Sequence, residues 1–396
     1  MFSFYRINPI GDIYVPTQFR EIAPDDAPLK LFPNDDLGQL NRIFNHLRRG
    51  GVAVLSGEWL RITKVMEYVE RKAQELSPPP SKRRDRRNGS VKKRGRREMD
   101  APKAARSSAV NSQSQGIMRL MCWADKVGRL QVNPPPQLPY LLEWVGENPG
   151  ANEECPFLVP ILTLQNIQNA LAETYPVGVL NTTLVASENV LAPRSQETVE
   201  CFQHGLQSVK THLPVNATVL DMGCGCGCLT LLAAQELAEQ RVNIYASDLL
   251  PEAVATTRLN VQRFLDSVPS ELSPIQVCPS GNLFEPVSAC RFELIIFNAP
   301  WVVSRARNRA EIAINDEGQQ TLRNFFHEAP EHLTVGGRIL LGYADASGPK
   351  AIDNLTAMVA ETGLMIVNRF KKRVATHRAK RKWENITVYE LTRGIN

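Results

Sequence analysis

Ala217-Thr-Val-Leu-Asp221-Met-Gly223-Cys-Gly225-Cys-Gly227-Cys-Leu-Thr230 reads as a buried strand that runs into three alternating glycines and then a helix start. Glycines in such a loop permit backbone angles that other residues avoid, and main-chain N–H groups can then approach a ligand without interference from Cβ. Asp221 falls at the strand's carboxyl end, where ligands bind in open α/β sheets. The dinucleotide fingerprint G-x-G-x-x-G is not met, because Cys228 occupies the place of its third glycine. A glycine-rich loop alone also fits a tight structural turn, so the surrounding pattern has to decide.

Working outward, strand signals at Ala217–Leu220, Val242–Ala246, Ile275–Cys278, Phe292–Phe297 and Arg338–Tyr343 alternate with helical stretches at Leu229–Gln240, Glu252–Leu265 and Gln319–His332. Two further strands, Gly363–Arg369 and Ile386–Leu391, close the chain. Alternation of this kind predicts a mostly parallel sheet covered on both faces. The second strand ends at Asp248, followed by Pro251 at the first turn of a helix. A carboxylate there suits the hydroxyls of a ribose, or else a helix cap. The fourth strand delivers Asn298-Ala299-Pro300-Trp301 to the same edge: an amide, a carbonyl, a rigid ring and an aromatic.

The order D-x-G-x-G-x-G, acidic strand tip and N-x-P-aromatic resembles the class I S-adenosylmethionine-dependent methyltransferases that carry an N-P-P-[YFW] motif. Val190-Leu-Ala-Pro193-Arg194-Ser-Gln-Glu197-Thr is similar to the segment preceding the first motif in release-factor glutamine N5-methyltransferases. Gly281-Asn282-Leu-Phe-Glu-Pro and Glu331-His-Leu-Thr-Val-Gly336-Gly337-Arg-Ile-Leu-Leu extend the likeness, which covers about 180–396. It implies a Rossmann-like seven-stranded class I methyltransferase sheet with helices on both faces. The implied cofactor is S-adenosylmethionine, held by Asp221, Gly223, Gly225, Gly227, Asp248 and Asn282, with Asn298 shared between the cofactor and the reaction. The implied catalytic set is Asn298, Ala299, Pro300 and Trp301: the Asn298 side chain and the Ala299 carbonyl accept the two N–H bonds of a substrate NH2, and Trp301 stacks on a planar group. Ala299 replaces the usual first proline and Asn282 the usual aspartate; both keep the acceptor their role requires. Arg194 and Glu197 suit either the substrate entrance or a surface ion pair.

The chain has 396 residues, 43% hydrophobic and 22% charged, the balance of a globular protein of two or three domains. No apolar run approaches the roughly 18 residues that span a bilayer, and the first twenty residues lack a signal-peptide pattern. Eight cysteines are too sparse for a disulfide scaffold, and Cys224, Cys226 and Cys228 read as small loop fillers. A reducing intracellular compartment is expected, cytoplasmic by default, with nuclear and organellar placement left open. No C-x2-C pair occurs and the six histidines are scattered, so no metal site is expected.

The expected organisation is an N-terminal α/β or helical module over 1–76, a basic disordered linker over 77–116, a connecting, substrate-shaping region over 117–180 and the methyltransferase domain over 181–396. In the first module Leu37, Leu40, Phe44 and Leu47 share a helical face, Val52–Leu55 reads as a strand, and Ile62, Val65, Met66 and Val69 mark a second helix. The net charge of +5 is uneven: residues 82–106 carry +9 and Arg369 to Lys382 carry +8, so that everything else sums to −12. The tract Lys82 to Arg97 suits phosphate contact, a nuclear-import signal or a solvated linker. The hairpin Lys371 to Lys382, next to Trp383, suits RNA or DNA, or guards a sheet edge. Three functions fit: a nucleic-acid N-methyltransferase, a protein-amide N-methyltransferase, and a non-catalytic binding or assembly factor on the same fold. A membrane partner is not expected.

Overall fold

The computed structural model describes residues 3–7, 10–75, 116–136, 138, 141–145, 155–267, 273–375 and 383–393. Apart from Gly116 the expected linker lies outside them, and so does 376–382 of the second basic cluster. The chain divides into two units, Met1–Leu138 with Glu147–Asn166, and Pro139–Gly146 with Ile167–Asn396.

The first unit is built on β1 (Ser3–Ile7), β2 (Gly11–Val15), β3 (Leu29–Phe32), α1 (Leu40–Arg48), β4 (Val52–Leu55), β5 (Gly57–Glu58), α2 (Trp59–Glu75), β6 (Leu120–Ala124), β7 (Val132–Asn133) and β8 (Phe157–Pro160). Its six-stranded sheet runs β1-β2-β8-β6-β4-β3, while β5 and β7 form a separate pair. Ile62, Val65, Met66 and Val69 on α2 are buried, the face their spacing predicts. On α1 the buried residues are Ile43, Phe44 and Leu47; of the expected face, Leu37 is buried ahead of the helix and Leu40, its first residue, is half-buried. The stretch 117–180 is not one connecting region: β6 and β8 hydrogen-bond inside this sheet, where Leu120–Cys122 and Phe157–Val159 have no exposed surface. Short apolar segments with no periodicity gave no sign of which sheet they would join.

The second unit begins at α3 (Leu141–Val145); the division between units falls within α4 (Ile161–Ala172). It continues through β9 (Thr174–Val177), β10 (Thr182–Val185), α5 (Gln196–Lys210), β11 (Thr218–Met222), α6 (Cys228–Glu236), β12 (Asn243–Ser247), α7 (Pro251–Ser267), β13 (Ile275–Val277), β14 (Phe292–Asn298), α8 (Gln320–His332), β15 (Leu333–Ala344), α9 (Pro349–Glu361), β16 (Leu364–Ala375) and β17 (Trp383–Arg393). The sheet order is β13-β12-β11-β14-β15-β17-β16, parallel through β15, with β17 antiparallel to both its neighbours. This is the seven-stranded α/β sheet the alternation and the resemblance imply.

Each central strand feeds two cores, because successive side chains leave opposite faces. Val219, Leu294, Ile296 and Leu340 pack with Phe202 and Leu206 of α5 and Leu231 of α6. Leu220, Ile295 and Leu341 pack with Phe325 of α8 and Leu355 of α9 on the other side. The final strands are longer than their apolar signals. Lys371, Lys372 and Arg373 lie on β16 itself rather than in a connecting loop. As the edge strand, β16 keeps one face on α5 through Phe370 and Val374 and turns Arg369, Lys371 and Arg373 the other way.

Candidate active site

The carboxyl ends of β11, β12 and β14 meet around one cavity of about 530 Å³. Gly223, Gly225, Asp248, Asn282, Asn298, Pro300 and Trp301 line it. Asp221, Gly227 and Ala299, each next to lining residues in the chain, do not themselves line it. The fold thus gathers the three sequence motifs at one place.

The loop after β11 takes its shape from the glycines, whose φ angles are +66° at 223, +57° at 225 and +79° at 227. Cys224 N donates to Ser247 O at 3.0 Å, which ties this loop to the tip of β12. Asp248 joins the loops around it: Oδ2 accepts from Gly225 N and Oδ1 from Leu250 N, both at 2.9 Å, while its carbonyl accepts from Gly281 N at 3.0 Å. That last bond brings Asn282 to the cavity. Burial pushes the Asp248 carboxyl up, assisted by the charge of Glu252 and opposed by the two N–H donors.

Asp221 is 1% exposed. Its Oδ2 accepts from Thr230 Oγ1 at 2.5 Å, and its Oδ1 has no hydrogen-bond partner among the described residues. Burial pushes its pKa up from 3.8 to about 7, with the nearby Asp248 charge adding to the rise and the Thr230 hydroxyl opposing it. Because the folded pKa lies above the unfolded one, the folded chain holds the extra proton between them, and stability falls as pH rises through that window. Above pH 7 the ionised group costs on the order of 4 kcal/mol. Asp221→Asn is therefore expected to melt higher than the wild type at pH 8, with the difference shrinking as pH falls from 7 toward 4. Thermal melts across that range check it; a difference independent of pH counts against the assignment.

At the other end of the cavity, Asn298 ends the row Leu294, Ile296, Asn298 that faces α5. Its Oδ1 is buried without a partner among the described residues, and so is Trp301 Nε1. Leaving such atoms unpaired costs roughly 1–3 kcal/mol each, so both are candidates for ligand contact. Room for the amide comes from Gly342 on the neighbouring strand, where a Cβ would meet Asn298 Oδ1 at 2.8 Å and Phe202 at 2.6 Å. Ala299 has no exposed surface, and its N donates to Gly342 O at 3.2 Å.

Several contributors were not read from the sequence. The segment between β14 and α8 is pinned by Arg309, which donates through Nε and Nη2 to the two oxygens of Glu252 on α7, a residue only 6% exposed. Asp316 caps α8 by accepting from Thr321 N at 2.8 Å and Leu322 N at 3.1 Å. Together they fix the loop that carries Trp301. Leu191, Pro193 and Thr198 also line the cavity, as do Val374, Ala375 and Glu384 from β16 and β17. Arg194 lines it too, yet its side chain is 71% exposed, pairs with Glu173 at 3.3 Å and lies over the Tyr175 ring at 5.1 Å. The three loop cysteines are buried, and burial pushes the Cys226 thiol up to about 12. Among the described residues no cluster of three or more His, Cys, Asp or Glu is placed to hold a metal, and no helix is long and apolar enough to cross a membrane.

Residues 201–368 match the family model described as the methyltransferase small domain. A release factor glutamine methyltransferase of Geobacter sulfurreducens is 28% identical over 168 residues, 40% of this chain and 54% of the relative. A ribosomal protein uL3 glutamine methyltransferase of Bradyrhizobium diazoefficiens is 29% identical over 168 residues, 39% of this chain and 50% of the relative. The chain thus spans about half the length of these curated relatives. A solved structure of precorrin-6y C5,15-methyltransferase from Geobacter metallireducens is similar at TM-score 0.35 and 13% identity, over 53% of this chain and 94% of that one. Over residues 201–368, within its second unit, the chain is similar to the methyltransferase small domain family, of the class that uses S-adenosylmethionine.

Proposed function

We propose that this chain is an S-adenosylmethionine-dependent N-methyltransferase acting on a planar NH2 group of a macromolecule, in the first reading an exocyclic base amine of RNA or DNA. The observation that carries the reading is the buried, unpartnered Asn298 Oδ1 at the end of the cavity that the glycine loop opens. The residues present suit the cofactor. A Cβ at Gly225 would meet nothing nearer than Gly223 O at 4.0 Å, and the Asp248 oxygens keep acceptor capacity for ribose hydroxyls after their two N–H bonds. Asn282 offers an acceptor for an adenine amine.

When bound, S-adenosylmethionine supplies an activated methyl group on a sulfonium. Asn298 Oδ1 accepts an N–H of the substrate amine, which fixes the nitrogen's orientation and stabilises positive charge as it develops there. Trp301 offers a flat face to a planar group and an indole N–H to an acceptor on it. The Ala299 carbonyl, expected as the second acceptor, belongs to a residue with no exposed surface; its use requires the 299–303 segment to shift as substrate enters.

Basic residues support the nucleic-acid reading. Arg369, Lys371 and Arg373 share a face of β16, and two of them lie over aromatic rings, Arg369 over Tyr389 at 5.9 Å and Arg373 over Trp383 at 4.9 Å. The tract Lys82 to Arg97 would add phosphate contacts. The names of the curated relatives favour a second reading, transfer to a protein glutamine amide. Incubation with radiolabelled methyl donor and fractionated cell extract separates them. Salt-sensitive label in RNA or DNA is expected; label confined to protein selects the second reading, and failure to bind the donor removes both.

A further inference from the structure

The cavity extends past Asn298 toward the edge of the sheet, where one carboxylate enters it. Even-numbered residues of β17 form a row over α5: Glu390 accepts from Ser208 of that helix, Val388 and Ile386 join the α5 core, and Glu384 is the last member. Val388 is level with Asn298 across Gly342, and Ile386 pairs with Ala344 at the end of β15, so Glu384, opposite Val374 of β16, stands beyond the end of β15. Asp345 holds it there by accepting from Asn385 N at 2.9 Å and Asn385 Nδ2 at 2.7 Å. Glu384 lines the cavity, and its Oε2 is buried without a hydrogen-bond partner among the described residues.

The glycine loop, Asp248 and Asn282 gather on the β11–β13 side of Asn298, and Glu384 lies on the opposite side, two strands away in the order β14-β15-β17. A group bound near Glu384 therefore belongs to the substrate end of the cavity. A carboxylate there accepts hydrogen bonds and repels anions. It sits on the hairpin whose opposite face carries Arg369, Lys371 and Arg373, so phosphates are drawn to that basic face and excluded from the pocket.

We infer that Glu384 is a substrate-recognition residue that admits a base edge bearing N–H donors and rejects phosphate. This deepens the nucleic-acid reading and rests on it. An acceptor aimed at base donors is how a protein carboxylate contributes to base selection. The residue reads the substrate; Asn298 positions the reacting nitrogen.

The test uses the full chain, radiolabelled methyl donor and a random-sequence single-stranded RNA of twenty nucleotides. Glu384→Ala is expected to raise KM for the RNA about tenfold with little change in kcat, and Glu384→Gln, which keeps one acceptor oxygen, to recover part of that loss. Donor affinity measured by calorimetry stays at the wild-type value in both. Glu384→Lys should bind the same RNA more tightly at low salt yet methylate it poorly, since a phosphate can now enter. An unchanged KM in Glu384→Ala, normal transfer by Glu384→Lys, or a parallel loss of donor affinity overturns the inference. If wild-type protein binds donor but labels protein and not RNA, the nucleic-acid reading itself has failed, and this inference with it.

Discussion

Asn298→Ala is expected to cut methyl transfer about a hundredfold while the chain still binds its donor, because it removes one acceptor aimed at the nitrogen that gains charge. The delocalised lone pair of an amide or aromatic amine makes orientation the main demand, and on the proposed reading Asn298 is the side chain that meets it. The apo chain should not lose stability. Its Oδ1 is buried and unpartnered among the described residues, so the truncation removes a polar atom that folding left unsatisfied. Single-turnover transfer, donor calorimetry and a melting curve on the same preparation separate these effects. Normal turnover rejects the assignment, and a large drop in melting temperature marks the residue as structural.

The second large effect concerns the charge that holds β15, β16 and β17 together. Glu390 has no exposed surface, and its carboxylate accepts from Arg338, from Ser208 Oγ at 3.0 Å and from Asn368 Nδ2 at 2.7 Å. Glu390→Ala leaves the Arg338 guanidinium, 17% exposed, without its counter-charge, and is expected to cost about 3–5 kcal/mol. Replacing both partners, Glu390→Leu with Arg338→Met, should recover most of that loss, since two desolvated charges are then absent together. Urea unfolding followed by hydrogen exchange at the β15–β17 amides is the suitable measurement, because a chain of two units need not unfold in one step. Equal losses in the single and double variants would show that packing, not charge, holds this region.

Local patterns carried much of the second unit and of the site. Strand, glycine loop and helix start at Ala217 to Thr230 sit in one short stretch, so chain connectivity alone places Gly223 and Gly225 at the tip of β11. Asp248 and Asn298 were legible for the same reason, each ending an apolar strand whose parallel pairing brings all such tips to one edge. The basic strand β16 was only half legible. Its outward face is charged, so the apolar signal stops at Arg369 although Phe370 and Val374 continue the inward row to Ala375. In the first unit, β6 and β8 carry no periodic pattern, and their place beside β4 and β2 could not be read.

The sequence by itself determined the order of strands and helices, the glycine loop, the polar tips and the separation of basic from acidic segments, because each rests on residues close in the chain. Tertiary structure alone decided that β17 enters antiparallel between β15 and β16, that Arg309 meets Glu252 across 57 residues, and that Glu384 reaches the cavity beyond the end of β15. Those outcomes depend on which distant strand gains most by pairing and on which buried charge must find a partner. Both are settled by desolvation in the folded interior rather than by local spacing.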